Sequence, residues 1–480
     1  MNKAQLINNI FLSIKNNNEQ SLLKKGSQIL TYSLKDNICV SDTNENTTCN
    51  SFMLSNYKSP FNATIYEILS KQTNLKYIGK TRLDEFAMGS MGINDPLKLN
   101  LNDVLNPLFP DCVPGGSSSG AAASVSSNMV DFAIGTDTGG SIRLPAAWCS
   151  TMGFKPSYGK ISRYGVIDMA QSLDTVGILS NDINIIKYIF RLLDKYDPKD
   201  TTSLPEKFRS KSGQDPKMNT REWKIGIPKE IFIDLCDPEV WSHFKIILAN
   251  LFKSVPQVSL YPVSIPSWKL SLPIYYTLCP SEVASNMARY DGIRYGSRES
   301  DDFETQNQGG DTENDIILFA SSRSKHLGKE VKRRIVLGNY TLSSDSYKNN
   351  YMKAQKLRMR LIDEFNTIFR LPNILLSNQE YENDEKDGVD FLLVPTNLTK
   401  PPKLVDILNN KNQGKENPIM DYINDFFTVP MSLAGLPTIS IPMCKKSSLG
   451  LQIVGQYGDD YNLLDFSKHI IINSDVLITI

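Results

Sequence analysis

Two short runs of glycine and serine constrain this chain more than anything else in it. They are Gly115-Gly116-Ser117-Ser118-Ser119-Gly120 and Gly139-Gly140-Ser141-Ile142-Arg143. Ser117 and Ser141 lie 24 positions apart, and small residues fill much of the space between them. Glycine and serine bury little apolar surface and surrender much backbone freedom on folding. Such a pair is expensive as packing. It makes sense where backbone N–H groups approach a bound oxygen and a hydroxyl stays reachable.

The surrounding pattern places these runs in an alternating α/β core. Residues 118–129 are small and unbroken after Gly120, which predicts a helix. Residues 130–134 read as a buried strand and residues 135–141 as the loop it delivers. Glycine turn, helix, strand and glycine loop together suit a layered α/β fold. Strand-like runs recur at residues 224–227, 391–394, 438–441 and 451–454. Polar, turn-rich stretches at 197–221, 299–328 and 378–388 read as surface excursions, and no internal repeat is visible. Residues 1–33 read as a helical lead-in, because Leu6, Ile7, Ile10, Phe11 and Ile14 fall at helical spacing. The length beyond it is enough for one large domain or two.

Composition matters mainly for what it excludes. Lys+Arg and Asp+Glu number 52 each, so the formal net charge is zero and a broadly basic nucleic-acid surface is not expected. No apolar run approaches the ~20 residues of a membrane-spanning helix. The seven cysteines are scattered and include no CxxC, which argues for a reducing compartment without a disulfide framework or zinc site. The first 18 residues carry Lys3 and Lys15 and no acid. That pattern is shared by a mitochondrial targeting segment and a plain amphipathic helix. No arginine precedes Arg82, whereas transit peptides are usually Arg-rich.

A serine nucleophile needs a proton acceptor. The three histidines, His243, His326 and His469, sit in no glycine-rich or acidic motif and read as structural or surface residues. Lys35, in Leu34-Lys35-Asp36-Asn37-Ile38, is the other candidate base. Its pKa must fall to near neutrality for that task, at a cost of about 4 kcal/mol that burial in a closed site can supply. The loop Thr136-Asp137-Thr138-Gly139-Gly140-Ser141 could aim several N–H groups at one point, as an oxyanion hole does. A phosphate cradle is the competing use of such a loop. No lysine follows either glycine run, so the P-loop pattern is absent.

At this point the sequence resembles the amidase signature family. Its glycine-serine signature is matched without a gap over residues 114–165 by the two runs above, by Gly135-Thr136-Asp137 and by Gly153-Phe154-Lys155-Pro156-Ser157-Tyr158-Gly159. The resemblance implies that residues 34–480 form a single α/β domain, a large central mixed β-sheet covered by helices on both faces. It also implies a Ser–Ser–Lys triad, with Ser141 as the acyl-forming nucleophile, Ser117 as the relay serine on a cis peptide bond and Lys35 as the base. Thr138, Gly139, Gly140 and Ser141 would supply the oxyanion-hole amides.

One branch of the family is similar over residues 33–460, the A subunits of glutamyl-tRNA(Gln) amidotransferases. Asp84-Glu85-Phe86-Ala87-Met88-Gly89-Ser90, Ser172-Leu173-Asp174, the run at residues 288–296 and Asn424-Asp425 carry that likeness. It implies hydrolysis of glutamine, with Arg334 on the α-carboxylate and Asp425 on the α-ammonium. It implies no cofactor in this chain, ATP and Mg being used by a B-type partner subunit beside a small third subunit, with Glu-tRNA(Gln) engaged through the complex. The short lead-in and the three-serine turn are similar to fungal mitochondrial members, which implies a mitochondrial matrix location. Met91-Gly92-Ile93-Asn94-Asp95 replaces the branch's usual polar segment. Two alternatives stand beside this reading. One is a free-standing amidase acting on a neutral amide, which would need neither Arg334 nor Asp425. The other is a catalytically silent assembly subunit.

Overall fold

In the computed structural model, residues 10–14, 29–94, 96–97, 106–211, 222–255, 257–299, 320–376, 387–413, 422–444 and 446–472 are described. Their strands are β1 (Phe11–Ile14), β2 (Leu30–Lys35), β3 (Leu75–Thr81), β4 (Phe132–Asp137), β5 (Met152–Lys155), β6 (Thr175–Ser180), β7 (Trp223–Pro228), β8 (Val258–Val263), β9 (Phe391–Pro395), β10 (Thr438–Pro442) and β11 (Gly450–Val454). They join into one mixed sheet in the order β1-β3-β2-β4-β6-β5-β10-β11-β9-β7-β8. β2 runs parallel to both β3 and β4, and β7 runs parallel to β8 and β9.

The central strands are apolar and buried along their whole length, as strands covered on both faces must be. Successive side chains alternate between two cores. Tyr77, Ile134 and Ile178 enter one core, while Ile78, Ala133 and Leu179 enter the other. The second core is floored by α1 (Ser119–Ser126), whose Ala121, Ala122 and Ala123 are small enough for the helix to lie close against the sheet. α2 (Arg143–Trp148) adds Ala146 to the same layer. The first core is covered by α3 (Ile183–Leu193) and α8 (Asp460–Ile472). Ile183, Ile186, Ile189, Phe190 and Leu193 form the buried stripe of α3 at helical spacing.

Further helices frame the site. α4 (Ser271–Met287) packs along α5 (Lys329–Leu342), and α6 (Met352–Ile368) lies against α4. α7 (Val429–Leu433) touches both α4 and α6.

Some sequence expectations need correction. Phe11–Ile14 is not helical: it pairs antiparallel with β3, Phe11 opposite Thr81, at the edge of the sheet. Residues 30–33, also within the expected helical lead-in, are strand too: they open β2 and pair parallel with β3. Residues 1–9 and 15–28 of the lead-in lie outside the described residues. α1 ends at Ser126 rather than Met129. β4 starts at Phe132 and runs on to Asp137, so the glycine loop is shorter than expected. The excursion at 299–328 contains a helix over Ala320–His326, and that at 197–221 a short one over Glu206–Arg209. Residues 212–221, 300–319 and 378–386 of the three excursions lie outside the described residues.

Candidate active site

The parallel pairing of β2 with β4 sets Leu34 opposite Ile134, which brings Lys35, the last residue of β2, beside Thr136 near the end of β4. Lys35 is fully buried there. Its Nζ lies 2.8 Å from Ser117 Oγ, 3.0 Å from Ser118 Oγ and 3.0 Å from Thr136 Oγ1. Among the described residues, no carboxylate bonds it. Burial pushes its pKa down to about 7, against the milder pull of Asp84, Asp137 and Asp174. Near neutral pH the amine therefore has a lone pair to offer Ser117.

Ser117 is delivered by the glycine turn that precedes α1. The Gly116–Ser117 peptide bond is cis. A Cβ on Gly116 would overlap Asp84 Oδ2, so only glycine fits between that carboxylate and the turn. The segment Met91–Asn94 braces the same turn through its backbone. Gly115 N–H donates to Met91 O at 3.2 Å, while Gly92 and Asn94 N–H donate to the two oxygens of Asp84. Asp95 lies outside the described residues. Ser118 N–H donates to Ser141 O at 3.1 Å, which ties the first glycine turn to the second. Lys35 and Ser117 are sealed from solvent, whereas Ser141 is only partly buried. The candidate base is hidden and the candidate nucleophile reachable.

The loop carrying Ser141 is clamped at its base. Asp137 meets Arg143 through two hydrogen bonds of 3.0 and 2.8 Å, and both residues are fully buried. Burial alone would raise the Asp137 carboxyl, but the guanidinium overcomes this and holds it below the usual range. Arg143 also donates to Thr428 O, Gln452 Oε1 and Ser432 Oγ, binding the loop to β11 and α7. Thr138 Oγ1 donates to Asp174 Oδ1 at 2.7 Å. A Cβ on Gly139 would strike the Tyr275 ring, and one on Gly140 would overlap Thr428 Oγ1. Among the described residues, no hydrogen bond takes up the N–H groups of Gly139, Gly140 or Ser141. Unspent amides in a rigid loop beside a reachable hydroxyl are what an oxyanion hole requires.

Arg334 and Asp425, far apart in sequence, meet on one pair of tyrosines. Tyr276 on α4 and Tyr422 stack at 4.1 Å between ring centroids. The Arg334 guanidinium on α5 lies 5.7 Å from one ring and 5.9 Å from the other. Its Nε donates to Glu330 Oε1 at 2.8 Å, and no described residue bonds its outer nitrogens. Tyr276 Oη donates to Asp425 Oδ2 at 2.8 Å, and Oδ1 takes no bond from the described residues. Burial raises the Asp425 carboxyl to about 6, with the Tyr276 hydroxyl and Arg334 pulling it back. Burial, the largest single influence, would lower the Arg334 pKa, but Glu330 together with Tyr276, Cys279 and Tyr275 outweighs it and holds the guanidinium above its usual value. The pair adjoins the Ser141 loop at two points. Thr428 Oγ1, against Gly140, donates to Asp425 O, and Tyr275, against Gly139, adjoins Tyr276 in the chain.

The structure thus gathers Lys35 with Ser117, and Gly139 and Gly140 with the surroundings of Arg334 and Asp425. The histidines are elsewhere: His243 Nδ1 contacts Glu239 O and His326 Nε2 contacts Glu299. Among the described residues, no group of three or more His, Cys, Asp or Glu side chains is placed to hold a metal ion. Sequence reasoning missed Tyr275, Tyr276, Tyr422 and Thr428, which no motif marks. Asp174 was in view only as part of a motif; the signal available was an acid inside a glycine-serine environment.

The amidase family model matches residues 29–464. The A subunit of the mitochondrial glutamyl-tRNA(Gln) amidotransferase of Eremothecium gossypii is 46% identical over 467 residues, covering 96% of this chain and 95% of its own. The Candida albicans protein of the same name is 44% identical, covering 92% and 91%. Among solved structures, the glutamyl-tRNA(Gln) amidotransferase A subunit from Thermotoga maritima superposes with a TM-score of 0.71 at 29% identity, covering 97% of this chain and 87% of its own. An amidase at 21% identity, TM-score 0.69, shares the fold. Likeness on this scale, from Ile29 on β2's threshold to the last helix, means that the chain belongs to the amidase family.

Proposed function

We propose that this chain is the glutamine-hydrolysing A subunit of a mitochondrial glutamyl-tRNA(Gln) amidotransferase. The observation that carries the reading is the joint placement of two sets of groups. A buried amine touches the relay hydroxyl at 2.8 Å, and a guanidinium and a carboxylate share one tyrosine pair beside the Ser141 loop. Free glutamine presents a carboxylate, an ammonium and an amide in one small molecule. Its charged groups need partners when they leave water.

The steps follow from the geometry. Arg334 takes the α-carboxylate through its outer nitrogens, and Asp425 takes the α-ammonium through Oδ1. Neutral Lys35 accepts the Ser117 proton, and Ser117 accepts that of Ser141. The Ser141 oxygen attacks the side-chain amide carbon. The N–H groups of Thr138, Gly139, Gly140 and Ser141 stabilise the resulting oxyanion, each such donor typically contributing about 3 kcal/mol to transition-state stabilisation. The C–N bond breaks as the relay returns a proton to nitrogen, and ammonia leaves. Water, deprotonated by the same relay, then cleaves the Ser141 ester and releases glutamate.

The ammonia is consumed by a B-type subunit that amidates Glu-tRNA(Gln), with ATP and Mg acting there and a small third subunit completing the complex. This chain needs no cofactor of its own. In the purified complex, Ser141→Ala should lose glutamine-dependent amidation and keep amidation driven by supplied ammonia. Loss of both would overturn the assignment. A free-standing amidase for neutral amides would leave Arg334 and Asp425 without a task.

A further inference from the structure

The segment Asp84-Glu85 touches both halves of the site in opposite directions. Asp84 lies under the relay turn: its N–H donates to Ser117 O at 3.2 Å, and its carboxylate fills the space beside Gly116. Glu85, one residue on and equally buried, reaches the other way. Its Oε2 accepts the N–H of Gly328 at 2.8 Å and its Oε1 accepts from Ser51 Oγ at 2.5 Å.

Gly328 is the N-cap of α5, and as glycine it offers no side chain to cap that helix. Glu85 accepts that residue's own N–H, one of the donors left over at the helix start, and places a negative charge at the positive end of the helix dipole. A Cβ on Gly328 would overlap Glu85 Oε2, so the contact leaves no slack. The segment is itself held firmly. Phe86 and Ala87 both adopt positive φ, 49° and 62°, a backbone that non-glycine residues rarely take. The Phe86 ring packs on Tyr290 at 5.0 Å, and its N–H donates to Cys49 O.

α5 carries Arg334 six residues beyond Gly328, about 9 Å along the axis. Four residues further on, Gly338 packs so closely on Pro280 O of α4 that a Cβ would overlap it. The helix is thus fixed at one end by Glu85 and beyond Arg334 by α4. We propose that Glu85 is a positioning residue for substrate recognition: it sets the axial position of α5, and so places the Arg334 guanidinium against the glutamine carboxylate while Asp84 fixes the relay serine from the same strut.

This inference rests on the glutaminase reading, and its test separates the two. Steady-state kinetics of the assembled complex are measured with glutamine and with 4-aminobutanamide, which keeps the amine and the amide but lacks the α-carboxylate. Hydrolysis of glutamine by the wild type checks the reading itself. Glu85→Ala should raise KM for glutamine about tenfold, leave kcat within about threefold and leave kcat/KM for 4-aminobutanamide within about twofold. Gly328→Ala, which perturbs the same contact from the other side, should show the same split, and the double variant should be no worse than either single one. Glu85→Gln, which retains an acceptor for Gly328 and a donor for Ser51, should stay within about threefold of wild type on both amides. Equal losses on the two amides, or a kcat loss at unchanged KM, would overturn the proposal. So would a Gly328→Ala variant indistinguishable from wild type, a comparison that stands even where Glu85→Ala fails to fold.

Discussion

Replacing Lys35 by methionine tests the central claim, that the base is a buried amine that sheds its proton near neutral pH. Methionine matches the length of the lysine stem and removes its charge. The wild-type amine has its pKa lowered from 10.5 to about 7, chiefly by burial. Between those values the unfolded chain holds a proton that the folded chain does not, so stability must rise with pH across the window. At about 1.4 kcal/mol per pH unit, the whole window is worth about 5 kcal/mol, and the part between pH 7 and pH 9 about 2 kcal/mol. Lys35→Met has no such dependence. It also loses the contacts to Ser117, Ser118 and Thr136, but that offset does not change with pH in this range. Urea unfolding of both proteins at pH 7 and pH 9 therefore gives a double difference in which other titrating groups cancel. The stability of Lys35→Met relative to wild type should fall by about 2 kcal/mol on going to pH 9. A double difference smaller than about 0.5 kcal/mol would mean that the folded lysine keeps an ordinary pKa, and the proton path through Ser117 would lose its driving base. The same titration should appear in catalysis: below pH 7, kcat/KM for glutamine should fall about tenfold per pH unit.

Gly140→Ala forces a Cβ onto Thr428 Oγ1 and twists the loop that carries the oxyanion amides, so glutaminase kcat should drop at least about a hundredfold while KM moves little; a KM effect alone would count against the oxyanion assignment. Asp174→Asn removes a negative charge that raises the Lys35 pKa, so the acid limb of the pH–rate profile should move to lower pH; a shift in the other direction would contradict the electrostatic account. Asp425→Asn should raise KM for glutamine about a hundredfold and leave amidation from supplied ammonia intact, as measured in the complex.

How much of this was legible in the sequence depends on what each residue type can do. Gly116, Gly139 and Gly140 could be read because a side chain at any of them collides with a neighbour, and a linear pattern records such demands well. Lys35 was legible only through its companions in the motif. What makes it a base is its complete burial with no carboxylate among the described residues within bonding distance, and the strand pairing that seats it beside β4 is not written in its motif. The edge strand Phe11–Ile14 shows the opposite failure. Its apolar spacing fits a helix, but four residues next to an open sheet edge gain ladder hydrogen bonds with β3 that local periodicity does not encode. Tyr276 and Tyr422 were invisible for a third reason. Either tyrosine alone is an ordinary core residue; they become a recognition surface only because α4, α5 and the segment before α7 converge, from positions 276, 334 and 422 to 425. On the proposed reading, catalytic chemistry is therefore written locally, in the two glycine turns and one strand end, whereas substrate choice is written in helix packing. That division makes a specific demand: changes that shift α5 without touching the glycine turns should alter which amide is hydrolysed before they alter how fast an acyl-enzyme forms.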